Sequence, residues 1–83
     1  MDPAVAFGVV LRTLRKQAKL SQEQLALEAE IQRNFVSLME RGVNQPTVRM
    51  LFKLSKALGS SPSAMLALVE AKLVENSTAP PGN

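Results

Sequence analysis

Residues 21–42 read SQEQLALEAEIQRNFVSLMERG, two short helices around a tight turn. Ser21 is an N-cap residue type, whose hydroxyl can accept a hydrogen bond from an orphaned first-turn amide. Gln24, three residues on, completes a capping-box signature. Leu25, Ala26 and Ala29 fall at helical spacing, with Gln22, Glu23 and Glu28 outside that narrow apolar face. A second set follows in Ile31, Val36 and Met39, flanked by Phe35. Gly42 stands where a helix end calls for a left-handed residue. Helices this short do not hold themselves together in water, because nucleation is costly and each buries only a stripe. The rest of the chain has to pack behind them.

On the N-terminal side, Asp2 and Pro3 make a cap followed by a proline that has no amide to satisfy. The spacing predicts a helix over residues 3–18, with Phe7, Val10, Leu11, Leu14 and Ala18 inward and Arg12, Lys16 and Lys19 in water. On the C-terminal side, Val43-Asn44-Gln45-Pro46 is a loop and Thr47 caps a helix that Gly59 stops. Val48, Leu51, Leu54, Ser55 and Leu58 form its core face. Ser60-Ser61-Pro62 repeats the cap-then-proline start, opening a fifth helix over residues 62–74. That helix has one apolar stripe in Leu66, Val69 and Leu73 and another in Ala64, Met65 and Leu68. A monomer needs only one of them, so the surplus, with Met50 and Phe52, points to self-association through Met65 and Leu68. The competing reading is a fully central helix in a small bundle. Residues 76–83, NSTAPPGN, are expected to be a disordered tail, leaving one domain over residues 3–75.

The 83 residues support a single small core. They include no cysteine and no histidine, which removes disulfides, thiolate metal sites and imidazole acid/base chemistry. With no clustered carboxylates either, nothing suggests an enzyme, a metal, a cofactor or a small-molecule ligand. No apolar run is long enough to span a membrane and no signal peptide is visible, so the expected location is cytoplasmic. The net charge is +3. Residues 12–56 hold nine basic and four acidic side chains, a local +5, while residues 1–11 and 57–83 each carry −1. The positive excess therefore coincides with the two-helix motif, as a nucleic-acid footprint requires; by itself it reads equally well as a solvated basic surface.

The residues Leu20-Ser21-Gln22-Glu23, Leu25-Ala26, Ile31, Arg33, Val36-Ser37, Glu40-Arg41-Gly42, Asn44, Pro46 and the run 51–59 together resemble the phage repressor and Cro-like helix-turn-helix family, also called the xenobiotic-response-element family. The resemblance spans roughly residues 7–70. It implies an all-α, compact five-helix lambda-repressor-like DNA-binding domain with its helix-turn-helix at the second and third helices. It further implies that Arg15 in the first helix pairs with Glu40 in the third; the alternative is two independent surface charges.

In this family the second helix of the motif lies in the major groove, its N-terminal turn against base edges. The resemblance thus assigns base reading to Gln32, Arg33, Asn34, Ser37 and Leu38. Arginine can offer two donors to guanine, and asparagine can pair bidentately with adenine. Leu38 and Phe35 would offer apolar contact to a thymine methyl or a sugar. Phosphate contacts fall to Gln22, Arg41 and Asn44, with Arg49 and Lys53 extending the grip; such contacts set affinity and register more than sequence. Two residues depart from the family pattern. Glu30 stands in the turn where glycine is usual, and Gln32 replaces the usual Ser or Thr cap.

The expected function is a sequence-specific regulator of transcription that binds double-stranded DNA as a homodimer on a palindrome, since one module reads too few base pairs. Among short members of the family, the chain is most similar in architecture to restriction–modification controller proteins, ahead of small Cro-like proteins and antitoxins. A helical protein-interaction module without DNA reading is the alternative; the donors on Arg33, Asn34, Arg41 and Asn44 argue against it.

Overall fold

The computed structural model describes residues 1–77 as five helices: α1 (Pro3–Gln17), α2 (Gln22–Ala29), α3 (Arg33–Glu40), α4 (Val48–Ala57) and α5 (Pro62–Ser77). Most starts are the capped ones the sequence predicts. The Ala4 amide donates to Asp2 Oδ2 at 2.8 Å. Ser21 and Gln24 form the reciprocal capping box, with bonds of 3.0 and 2.8 Å. The Met50 amide donates to Thr47 Oγ1 and the Ala64 amide to Ser61 Oγ, each at 3.1 Å. Gln32 is the exception, sitting at the N-cap of α3 with no side-chain bond to the helix.

The first four helices end in one way. A left-handed residue lets the next amide reach back to the carbonyl five residues earlier, which satisfies an orphaned helix end. These bonds run from Leu20 to Arg15, Ile31 to Ala26, Val43 to Leu38 and Ser60 to Ser55. The left-handed residues are Lys19, Glu30, Gly42 and Gly59. At Gly42 and Gly59 this conformation is free of Cβ strain; at Lys19 and Glu30 (φ 60° and 58°) it costs about 1–2 kcal/mol.

The core gathers Phe7, Val10 and Leu11 from α1, Leu25, Ala26 and Ala29 from α2, Val36 and Met39 from α3, Leu51 and Leu54 from α4, and Met65 and Val69 from α5. Helix α1 packs against α3 and α5, α2 against α3 and α4, and α4 against α5. Gly8 lies where α1 crosses the end of α3. A Cβ there would clash with the Met39 carbonyl oxygen and stand 2.8 Å from that of Glu40.

Four sequence expectations need correction. Met65 was expected at a dimer surface but is wholly buried at 0% exposure, while Leu68 is 45% exposed. The inward stripe of α5 is Met65, Val69 and half-buried Leu73, spaced by four, and this turns Leu66 outward as well. Val48 is 72% exposed, because the cleft between Pro3, Phe7, Leu66 and Val69 stays open beside it. Ala18 is an exposed C-cap outside the stripe of α1. Finally, α5 continues to Ser77, so positions 76 and 77 of the expected tail are helical; residues 78–83 lie outside the described residues.

Candidate nucleic-acid interface

Helix α3 has two faces of different kind. Val36 and Met39 are buried, and Phe35 leans half-buried on the core. Arg33, Asn34, Ser37 and Leu38 follow one another at i, i+1, i+4 and i+5, which places them along one side of the helix. Arg33 and Asn34 are exposed at its first turn, next to exposed Gln32, whereas Ser37 and Leu38 are half-buried. Leu38 is therefore less available than its position suggested. The exposed end of α3 carries the donors, and the end nearer the core carries the apolar groups.

The candidate phosphate residues fall in three places: after α3, on α4 and at the start of α2. Arg41 caps the C-terminus of α3, and Asn44 follows in the loop; both are exposed. Arg49 and Lys53, one turn apart on α4, line an open cleft of about 440 Å³ with Glu30, Ile31, Gln32, Phe35, Thr47 and Met50. That cleft joins the start of α4 to the start of α3, so the basic pair sits beside Gln32. Gln22, at the first turn of α2, is half-buried.

Behind the interface lies a polar cluster. Arg15 Nε donates to Glu40 Oε2 at 2.5 Å and Nη2 to Oε1 at 3.0 Å, while Nη1 reaches the Leu20 carbonyl at 2.9 Å. Gln22 Nε2 also donates to Glu40 Oε1, at 3.1 Å. The Arg15 and Glu40 side chains are only 11% and 4% exposed. The hydrogen bonds Arg15 donates to Glu40 hold the guanidinium pKa above its ordinary value, with burial opposing and the carboxylate charge assisting. The arginine is thus a permanent cation. One side chain of α1 ties Leu20, just ahead of the N-cap of α2, to the last residue of α3. The resemblance paired Arg15 with Glu40 but left out Leu20, which contributes only a main-chain carbonyl, and Gln22, whose contact with a residue 18 positions away leaves no local pattern. Sequence reasoning also missed Gly8, for which a signal existed: a glycine inside a helix costs about 1 kcal/mol and usually has a packing reason.

Among the described residues, no group of acidic, histidine or cysteine side chains is arranged to hold a metal, and no helix is long and apolar enough to cross a membrane. The arrangement instead matches a known family model, helix-turn-helix (HTH_3), over residues 11–65. The chain belongs to that family. Its curated relatives are helix-turn-helix transcription regulators and control proteins, so this chain is a DNA-binding regulator and not an enzyme.

Control protein C.BamHI of Bacillus amyloliquefaciens is 38% identical over 61 residues, covering 72% of this chain and 75% of that protein. Among solved structures, the restriction-modification controller protein C.AhdI from Aeromonas hydrophila is 37% identical with a TM-score of 0.72, covering 75% of this chain and 94% of that one. The clp gene regulator ClgR from Corynebacterium glutamicum has a TM-score of 0.87 at 22% identity, over 93% of this chain and 82% of that one; it shows the same fold, including α5.

Proposed function

We propose that this helix-turn-helix protein is a cytoplasmic, sequence-specific regulator of transcription that binds a palindromic operator in double-stranded DNA as a homodimer. The observation that carries the reading is the exposure of Arg33 and Asn34 on the first turn of α3 while the opposite face of that helix is locked in the core. An arginine held there offers two donors to guanine O6 and N7, and an asparagine pairs with adenine N6 and N7. Gln32, Ser37 and Leu38 complete the base-reading set. Gln22, Arg41, Asn44, Arg49 and Lys53 flank it and grip phosphates. Two relatives at 38% and 37% identity are a control protein and a restriction-modification controller protein, which favours control of restriction–modification genes.

Dimerisation is assigned to the exposed apolar residues of α4 and α5. Phe52, Leu66 and Leu68 are exposed, with Leu66 and Leu68 on opposite flanks of the buried Met65–Val69 stripe, and Met65 is not part of the set. Two copies on a two-fold axis would read half-sites about one helical turn, roughly 34–36 Å, apart.

Selection from a random duplex pool at moderate salt tests this reading. A palindrome with that half-site spacing is expected among the bound molecules. A single half-site would remove the dimer, and retention without enrichment would remove sequence reading. Substitutions then sort the contacts. Arg33→Ala costs about 1–3 kcal/mol at one base position and relaxes preference there, whereas Lys53→Ala weakens all sequences alike.

A further inference from the structure

Glu40 is buried, yet it is bonded by donors from two other helices. Its two oxygens take three hydrogen bonds, two from Arg15 on α1 and one from the carboxamide of Gln22 on α2. A carboxamide nitrogen carries two hydrogens. Among the described residues, Glu40 is the partner of the Gln22 amide, and one hydrogen remains to be given. Gln22 is half-buried, with its polar end on Glu40, the last residue of α3.

From this geometry we infer that Arg15 and Glu40 are positioning residues for DNA binding, acting through the Gln22 carboxamide. The inference rests on the DNA-binding reading and extends it. Glu40 accepts one amide hydrogen and thereby turns the other toward a backbone phosphate. Arg15 does two things in support. Its fork fixes the rotamer of Glu40, and its charge cancels that of a carboxylate which would otherwise repel the phosphate. Its third donor, on the Leu20 carbonyl, sets where α2 begins and so where Gln22 stands relative to α3.

A merely structural ion pair would change the melting temperature and leave phosphate gripping alone. The two roles separate in a double-mutant cycle read by affinity on folded protein. The full chain, Gln22→Ala, Glu40→Gln and the double variant are titrated against a mixed-sequence duplex of about three helical turns, at low salt and well below each melting temperature. A phosphate contact is read on any sequence, so no operator is needed. Gln22→Ala is expected to weaken binding about tenfold, the scale of a hydrogen bond to a charged group. Glu40→Gln uncovers the Arg15 charge and so shifts affinity for any duplex by itself; the positioning role is read in the coupling, and Gln22→Ala is expected to cost little or nothing further once Glu40 is replaced. Arg15→Lys, which keeps the cation and loses the fork, replaces Glu40→Gln in the cycle should that variant fail to fold. A Gln22→Ala loss as large in the Glu40→Gln background as in the wild type overturns the positioning role while leaving DNA binding intact. A wild-type protein that retains no duplex overturns the DNA-binding reading and the positioning role together.

Discussion

The two ends of α3 are held in opposite ways. At the C-terminal end, Met39 is buried, Glu40 takes three hydrogen bonds, Gly8 brings the backbone of α1 against two carbonyls, and Gly42 closes the helix without Cβ strain. At the N-terminal end, Gln32 provides no cap bond and Glu30 is forced into the left-handed region. The anchored end faces the core and the loosely held end carries the donors proposed to read bases. Stability and recognition are thus separated along eight residues, and a substitution should reveal its end by which property it moves.

The largest effects belong to the anchored end. Arg15→Ala strands a buried carboxylate and should cost about 3–5 kcal/mol, whereas Arg12→Ala, on the exposed side of α1, should stay within about 0.5 kcal/mol. Denaturant melts of the two compare them directly, and equal midpoints would break the contrast. Gly8→Ala comes next. The added methyl meets backbone and not a flexible side chain, so overpacking of about 1–3 kcal/mol outweighs the helix-propensity gain of about 1 kcal/mol. A stabilised Gly8→Ala would mean that the crossing of α1 and α3 has room to give.

At the loose end the expected changes are smaller and reversed in sign. Gln32→Thr supplies the missing cap and should stabilise by about 0.5–1 kcal/mol, while altering the bases selected if Gln32 reads one. Glu30→Gly relieves the left-handed strain but raises unfolded-state entropy; the net gain should be a few tenths to about 1 kcal/mol. Thermal melts measure both, and a loss in either would show that the end is better held than its hydrogen bonds suggest. Solution pH should do least. The raised pKa of Arg15 means its contribution is fully present below the unfolded guanidinium value and fades only as pH climbs through a still higher folded one. Melting temperatures from neutral to moderately alkaline pH should therefore show no step from this pair.

Legibility in the sequence follows the same division. Capping residues and the two glycine-marked ends were readable because they act within four or five residues. The left-handed Glu30 was readable only through a resemblance, and Lys19 not at all, since a lysine carries no mark of positive φ. Periodicity selected the inward faces of α2 and α3, where apolar and polar residues alternate clearly. It misassigned α5, which is apolar around most of its circumference, so spacings of three and four fit equally well and only packing against α1 and α4 chose Met65 over Leu66. In the site, the donors on Arg33 and Asn34 were visible as residue types. The Gln22–Glu40 bond was not, because it depends on how three helices meet.

The contact at Gly8 also governs motion. The residues one turn away on the same side, Ala4, Val5, Leu11 and Arg12, all carry a Cβ, and one turn of helix is about 5.4 Å of travel. Sliding α1 along α3 by that much would push a side chain into the space that only a hydrogen atom now fills. The joint therefore has a single seat, and α1 and α3 travel as one rigid piece. Any adjustment of the protein to the width of a groove must be made by tilting the whole domain or by reshaping the uncapped turn at Gln32.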